Sequence, residues 1–237
     1  FHDVYLCGNT LISRVEEPDD AQVKKNLSYV NGFAGMADGQ VLLGLIPSAA
    51  EVWKDRLPQG APGFDQAAFI QSAAEKTGLP TVDLLGALTE HAGEPIYYRT
   101  DHHWTTRGAF YGANALLTAL GKEPLKETDF TPENASTNFN GTLYSTSGIH
   151  WLAPDTIEYW APDYYLNAAG ANLGETIGTI IAKSYALMQE LKPDAVLVLG
   201  DTNSCLSVIA AKRLPVFGFA AVNIAHLLRC LLYTSDA

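Results

Sequence analysis

Residues 97–119 read YYRTDHHWTTRGAFYGANALLTA, and this stretch joins aromatic, acidic and imidazole side chains to a helix-forming run. Tyr97-Tyr98-Arg99 favours extended backbone, so we expect Asp101 and His103 to share one face and His102 to point the other way. An aspartate beside a histidine can fix the tautomer of the ring and stabilise its protonated form during acyl transfer. The stretch is therefore a candidate active site, but it contains no serine or cysteine nucleophile.

Helix-like and strand-like segments alternate on both sides of this stretch. Thr105–Leu120 is predicted as a helix that begins at a threonine cap and ends at a glycine. Upstream, the apolar run Val41–Ile46 predicts a buried strand, Asp65–Lys76 a helix, and Pro80–Asp83 a second brief strand. Downstream, Lys122–Trp160 alternates turn residues with aromatics and predicts short hairpins. The order indicates an α/β fold with parallel strands between helices.

The last third of the chain predicts a separate helix, strand and helix. Gly174–Leu191 has a helical pattern, Ala195–Leu199 is strand-like, and Ser204–Arg213 is a second helical run. Ligands of open α/β sheets bind beyond the carboxyl ends of the strands. Asp201 and Thr202 lie in the turn after the predicted strand, so they are candidate ligand-binding residues.

Composition excludes several classes of function. The chain has 237 residues, of which 47% are hydrophobic and 17% charged, as in ordinary globular proteins. Its net charge is −11 with no basic cluster, which argues against nucleic acid or an anionic membrane surface as a partner. The three cysteines are far apart, so neither a disulfide framework nor a thiolate zinc site is indicated.

The two ends of the chain suggest a fragment without a membrane span. Phe1 stands where an initiator methionine is usual, so we expect that any signal peptide or anchor was lost or never present. The apolar stretch Leu214–Leu232 is interrupted by Asn223, His226 and Arg229, at a cost of a few kcal/mol for a bilayer-spanning helix. No membrane helix is predicted there.

Residues 97–119 resemble the bacterial family named for its Asp-His-His-Trp (DHHW) motif, as do Pro47–Glu51 and Gly141–Ser145. That family is similar to the alginate O-acetylation proteins, which have SGNH-hydrolase-like domains and carry an Asp-x-His pair with a serine supplied later in the chain. The resemblance implies that Asp101 is the orienting acid and His103 the general base. It also implies O-acetyl transfer or ester cleavage on cell-envelope polysaccharide, outside the cytoplasm, with a carbohydrate or acetyl-ester substrate.

Pro162–Leu214 instead resembles an internal piece of the non-hydrolysing UDP-N-acetylglucosamine 2-epimerases, which are cytoplasmic. This resemblance implies that Asp201 is a catalytic acid/base and that Thr202 lies beside a UDP-sugar. The Gly-Thr-Arg-Pro-Glu and His-x-Glu-Ala-Gly segments of those enzymes are absent here. Ser204 and Ser207 follow a Gly-Asp turn as in a nucleophile elbow, but the flanking residues match the epimerases.

The last eight residues, Cys230–Ala237, resemble a translated sequencing adapter. We therefore hypothesise a chimera: a truncated DHHW domain over 1–161, an epimerase-like fragment over 162–214, and an unstructured or artefactual tail over 215–237. The expected fold is α/β, with an incomplete SGNH-hydrolase-like (flavodoxin-like) parallel sheet and flanking helices, followed by one orphan Rossmann-like βα unit. The alternatives in function are an acetyltransferase or esterase fragment lacking its serine, an epimerase fragment, and a non-functional product.

Simpler interpretations remain for each candidate residue. Asp101 and His103 can form a purely structural pair, and His102 beside Trp104 favours either packing or a contact that supports a site residue. We expect no metal, because neighbouring residues on an extended chain diverge, and no cofactor. Arg99 and Arg107 can receive an anionic or polar sugar group or can simply be solvated.

Overall fold

Helices and short strands alternate through this computed structural model, which describes residues 3–37, 39–161, 173–191, 195–199 and 217–221. The chain forms two compact units, one containing Phe1–Ala161 and the other Pro162–Val222. The elements of the first unit are β1 (Val4–Cys7), β2 (Thr10–Ser13), α1 (Asp20–Met36), α2 (Ala49–Val52), α3 (Gln66–Thr77), α4 (Leu84–Glu90), α5 (Thr106–Ala119), β3 (Thr131–Phe139), α6 (Thr142–Ser147) and β4 (Asp155–Ala161). Those of the second unit are α7 (Leu173–Leu191), β5 (Ala195–Leu199) and β6 (Phe217–Ala221). The predicted α/β class is confirmed.

The helices α3 and α5 begin within a residue of their predicted starts, and a side chain caps each of them. The Asp65 carboxylate accepts a hydrogen bond from the backbone N–H of Ala68, at 2.9 Å. The Thr105 hydroxyl oxygen accepts one from the N–H of Gly108, at 3.3 Å. These bonds satisfy backbone donors that have no partner within a helix. Both predicted helices are therefore confirmed to within a residue or two at each end.

The segment that enters the candidate site is anchored in the core by Tyr97, which is 1% exposed. Its ring meets Trp53 edge-on with centroids 5.3 Å apart, and its hydroxyl donates to the carbonyl of Pro47 at 2.7 Å. Ile96, the preceding residue, is fully buried. Burial of such side chains contributes about 2 kcal/mol each, so the chain enters the site from a fixed position.

The segments Val41–Ile46 and Pro80–Asp83, predicted as strands, are joined by a parallel bridge between Leu43 and Thr81, and neither forms a full strand among the described residues. Leu43 donates its N–H to the carbonyl of Pro80 at 2.8 Å and accepts from Val82 at 2.9 Å. The predicted strands are therefore wrong in length, because the pairing is shorter than expected. The apolar run does contribute Leu45 and Ile46 to the core. The parallel direction of the pairing agrees with the prediction.

Two antiparallel hairpins complete the first unit. β1 pairs with β2, and buried Val4 and Leu11 pack in one cluster with Leu143 and Ile149 from the region of α6. β3 pairs with β4 from Thr131 opposite Ala161 to Phe139 opposite Asp155, with two register shifts. The several short hairpins predicted downstream of α5 are thus one long hairpin, and α6 lies in its connection. This connection carries Gly141 and Thr142 toward the candidate site.

The described part of the second unit is a helix and a parallel strand pair. α7 and β5 agree with the predicted helix and strand. β5 pairs in parallel with β6, from Ala195 opposite Phe217 to Leu199 opposite Ala221. Five residues of the segment 215–237, for which no structure was expected, therefore form a strand, whose backbone is satisfied by β5. The predicted helix Ser204–Arg213 lies outside the described residues.

No helix among the described residues is both long enough and apolar enough to cross a bilayer.

Candidate active site

The Asp-His-His segment lies on a tight loop between paired backbone positions. Tyr97 forms an antiparallel bridge with Trp104, and the N–H of Tyr98 donates to the carbonyl of His103 at 3.2 Å. The intervening residues 99–103 are bends. The predicted extended segment is therefore wrong, because the chain reverses direction between Tyr97 and Trp104. A different local geometry must bring the acid and the imidazole together.

That geometry is a turn closed by the side chain of Asp101. Asp101 Oδ1 accepts the backbone N–H of His103 at 2.9 Å and its ring Nδ1 at 2.6 Å. An aspartate that accepts from the backbone two residues later stabilises such a turn without any strand partner. The predicted pairing of Asp101 with His103 is present, and it depends on residues only two positions apart.

The second oxygen of Asp101 is held from α6. Asp101 Oδ2 accepts the backbone N–H of Thr142 at 2.8 Å and its hydroxyl at 3.0 Å. This approach requires glycine at position 141, because a Cβ there would lie 2.3 Å from the Cβ of Asp101 and 2.6 Å from its Oδ2. The carboxylate, whose residue is 4% exposed, thus accepts four hydrogen bonds from two separate segments.

A second buried aspartate, Asp155, holds the loop through Thr100. Asp155 Oδ2 accepts the N–H of Thr100 at 2.8 Å and its hydroxyl at 2.6 Å, and Thr100 is fully buried. The hydroxyl oxygen of Thr100 also accepts the N–H of Gly141, at 3.0 Å. Asp155 and Thr100 therefore link the loop to β4 and to the connection that carries Gly141. Sequence analysis did not identify Asp155, since nothing around it distinguishes it from a surface acid.

The pKa of Asp101 is held well below its usual range. Burial acts in the opposite direction and raises it, but the hydrogen bond from the His103 ring, those from the backbone of Thr142 and His103, and the charge of His102 outweigh burial. Asp101 is therefore an anion at neutral pH. An anionic carboxylate on Nδ1 is what keeps a hydrogen on that nitrogen of His103.

This depressed pKa predicts a pH dependence of stability. A carboxyl group whose pKa is lower when folded stabilises the protein fully above its unfolded pKa of about 3.9, and the contribution is lost as pH falls through the folded value. We expect the difference in free energy of unfolding between the wild type and Asp101→Asn to shrink between pH 5 and pH 3. Urea unfolding at both pH values measures it, and a difference that grows on acidification would contradict the prediction.

His102 lies against His103 rather than on the opposite face. The ring centroids are 3.9 Å apart with an interplanar angle of 36°, and His102 Nδ1 is 2.8 Å from the hydroxyl oxygen of Thr142. The same Nδ1 is 3.8 Å from Asp101 Oδ1. His103 has a side chain 27% exposed, so its ring reaches the surface. Both histidines are thus connected to one carboxylate, His103 directly and His102 through Thr142.

Comparison with known families identifies the family to which the chain belongs. Residues 16–222 match the family described as the SGNH hydrolase-like domain of the acetyltransferase AlgX. The chain belongs to this AlgX family. The match spans most of the chain and continues beyond Ala161, and the resemblance of the first segment to alginate O-acetylation proteins is confirmed. No curated protein matches significantly.

Solved structures agree with the fold of an AlgX-type domain. A DHHW family protein from Eubacterium siraeum has a TM-score of 0.67 at 16% identity, with 96% of this chain and 94% of that chain covered. The O-acetyltransferase domain of Pseudomonas putida AlgJ has a TM-score of 0.56 at 20% identity, covering 98% and 84%. Bacillus cereus PatB1 gives 0.56 at 13% identity, covering 93% and 86%. At these identities the likeness establishes the SGNH-hydrolase-like fold.

The two arginines flanking the loop of this AlgX-type domain contact protein groups. Arg99 donates from Nε to Asp155 Oδ1 at 3.1 Å and from Nη2 to the carbonyl of Pro154 at 2.7 Å. Arg107 bonds Glu127 at 2.8 Å and Glu94 at 3.2 Å. These carboxylates account for both charges without a ligand. The substrate-binding role of Arg99 and Arg107 remains a prediction.

A possible metal-binding group lies in the loop, because the potential ligand atoms of Asp101, His102 and His103 are all within 4.8 Å of one another. The expectation that these side chains diverge is wrong, because the loop bends instead of extending. However, an aspartate has about four acceptor positions, and four hydrogen bonds already occupy those of Asp101. A metal ion would have to displace them, so the donor set fits an acid–base pair better.

The remaining candidate residues lie elsewhere. Asp201 and Thr202 fall outside the described residues, as do Ser204 and Ser207. Ser48 occupies the residue before α2, but its hydroxyl makes no capping bond. It accepts instead from the buried amide of Gln66 at 2.7 Å. Ser48 is thus held in a structural contact.

Proposed function

We propose that the first unit is a fragment of an O-acetyltransferase or esterase for cell-envelope polysaccharide, which keeps His103 as general base and Asp101 as the residue that orients it but lacks the nucleophilic serine. The 2.6 Å contact between Asp101 Oδ1 and His103 Nδ1 supports this proposal most directly. Membership of the AlgX acetyltransferase family supports the reaction class. The polysaccharide substrate and a location outside the cytoplasm are inferred from that family.

The chemistry follows from which ring nitrogen carries the hydrogen. With Nδ1–H donated to Asp101, the lone pair of neutral His103 is on Nε2. Nε2 can take the proton of a hydroxyl as its oxygen attacks an ester carbonyl, and the resulting imidazolium is stabilised by the Asp101 anion. Collapse of the tetrahedral intermediate returns that proton to the departing oxygen, so His103 is regenerated. The acetyl group has then moved from one oxygen to another.

In this proposal the nucleophilic serine is missing from the chain. The basis is the sequence alone: Pro162–Leu214 follows an epimerase pattern where the serine-bearing segment would stand. We propose accordingly a truncated domain over 1–161, an epimerase-like fragment over 162–214 and a tail over 215–237. The family match that continues to residue 222 favours one uninterrupted domain instead. Long-read sequencing of the source DNA across residues 161 and 162 decides between the two origins.

The alternative function, UDP-N-acetylglucosamine 2-epimerisation, would depend on Asp201 and Thr202. A helix followed by a strand in parallel pairing, α7, β5 and β6, is compatible with a fragment of such an enzyme. Epimerisation needs groups on both sides of a cleft, and the characteristic segments of those enzymes are absent from the sequence. A UDP-sugar is therefore the less favoured substrate.

Labelling of the full chain with a serine-reactive sulfonyl fluoride tests the missing nucleophile. We expect no covalent adduct by mass spectrometry and no hydrolysis of p-nitrophenyl acetate beyond that of His103→Ala. A stoichiometric adduct on one serine, together with turnover that His103→Ala abolishes, would show that the site is complete.

Proton NMR tests the acid–base pair separately, since it needs no turnover. The short bond to Asp101 predicts a strongly downfield Nδ1–H resonance of His103, which Asp101→Asn removes. His150→Ala, which changes an exposed histidine, is the matched control and should leave the resonance in place. If neutral His103 carried its hydrogen on Nε2 and none on Nδ1, the proposed role of the pair would be overturned.

A further inference from the structure

The hydroxyl of Thr142 lies between two groups that both compete for its single hydrogen. It is 3.0 Å from Asp101 Oδ2 and 2.8 Å from His102 Nδ1. A carboxylate only accepts, whereas Nδ1 of a histidine either donates or accepts according to the tautomer. The two distances therefore constrain which nitrogen of His102 carries the hydrogen.

One assignment makes both contacts hydrogen bonds. If Thr142 donates to Asp101, then His102 must donate its Nδ1–H to the threonine oxygen. If Thr142 donated to His102 instead, its oxygen would face the anionic Asp101 Oδ2 across 3.0 Å with no hydrogen between them. A hydrogen bond to an ionised, buried acceptor is roughly twice as strong as a neutral one, so the first assignment prevails.

We propose that His102 and Thr142 are positioning residues that form a second arm on Asp101, running from His102 Nδ1–H to the Thr142 hydroxyl and on to Asp101 Oδ2. Neutral His102 is therefore held in the Nδ1–H tautomer, as His103 is by Oδ1. Both rings carry their acceptor nitrogen at Nε2, and the two centroids are 3.9 Å apart. The arm stops the carboxylate from rotating, so Oδ1 stays aligned with His103.

The arm gives a specific geometry to the supporting role that the sequence left open for His102. The backbone N–H of Thr142 donates to Asp101 at 2.8 Å, and this bond fixes the residue beside the carboxylate. The Thr142 hydroxyl is therefore already within reach of Asp101. His102 then fixes the direction of that hydroxyl. In this way His102 determines how the aspartate of His103 is held.

Nitrogen-15 NMR of histidine-labelled protein tests the proposal at a pH where both rings are neutral. We expect a one-bond N–H coupling at Nδ1 of His102 in the wild type, with resonances assigned by replacing each histidine in turn. Thr142→Val keeps the side-chain shape and the backbone N–H but lacks the hydroxyl, so His102 should change to the Nε2–H form. Thr142→Ser, the matched control, should retain Nδ1–H.

Two outcomes would overturn the proposal: an Nε2–H form of His102 in the wild type, or an unchanged Nδ1–H form in a folded Thr142→Val variant. The wild-type measurement stands even if Thr142→Val fails to fold. Because the tautomer is observed without turnover, a serine adduct with His103-dependent turnover would count against the missing nucleophile alone and would leave the tautomer assignment standing.

Discussion

Gly141→Ala is expected to lower the free energy of unfolding by about 3 kcal/mol, because the new methyl group has no space. The Cβ would lie 2.3 Å from the Cβ of Asp101 and 2.7 Å from the carbonyl oxygen of Thr100. Either α6 or the Asp101 loop must then move, and the bonds from Thr142 to Asp101 break. Urea unfolding measures the stability, and loss of the downfield His103 resonance reports the disturbed pair.

Gly93→Ala is the matched control for this substitution. A Cβ at position 93 meets nothing within 4 Å, so its effect should stay within about 0.5 kcal/mol. Equal stabilities of the two variants would show that α6 does not approach the loop as closely as described.

Asp155→Ala is expected to cost about 3–5 kcal/mol, because it removes one acceptor from several donors at once. Its carboxylate accepts the N–H and hydroxyl of Thr100 and the N–H and Nε of Arg99. The Thr100 groups are buried and would be left without this partner. Chemical denaturation provides the measurement, with Asp129→Ala, an exposed acid, as the control.

Asp155→Asn separates charge from shape. The amide keeps one acceptor oxygen but turns an N–H₂ group toward remaining donors, so its stability should fall between those of the wild type and Asp155→Ala. A wild-type stability for Asp155→Ala would mean that the loop is held by other contacts.

Features that depend on nearby residues were predictable from the sequence. α3 and α5 begin directly after Asp65 and Thr105, whose side chains cap the first turn, and such caps act over three residues. The pairing of Asp101 with His103 was also predicted, but for the wrong reason. Side chains two positions apart in the sequence come close both in extended backbone and in a turn closed by a side chain. The sequence pattern does not distinguish these two conformations.

Features that depend on distant residues were not predictable from local pattern. Asp155 lies 55 residues from Thr100, and Thr142 lies 41 from Asp101. Only the path of the long hairpin brings them to the loop, and periodicity carries no information about that path. The strands at Val41–Ile46 and Pro80–Asp83 failed for a related reason: an apolar run predicts burial, but the extent of its pairing depends on neighbours elsewhere in the chain.

The long sequence separation between Asp155 and the loop affects the order in which parts of the domain fold. Closing a loop of that size costs entropy that a single contact does not repay, so the contact must wait until β3 and β4 have paired. The Asp101 turn, which spans three residues, is free of that delay. A nascent chain would thus acquire the acid and the imidazole early and their rigid alignment last.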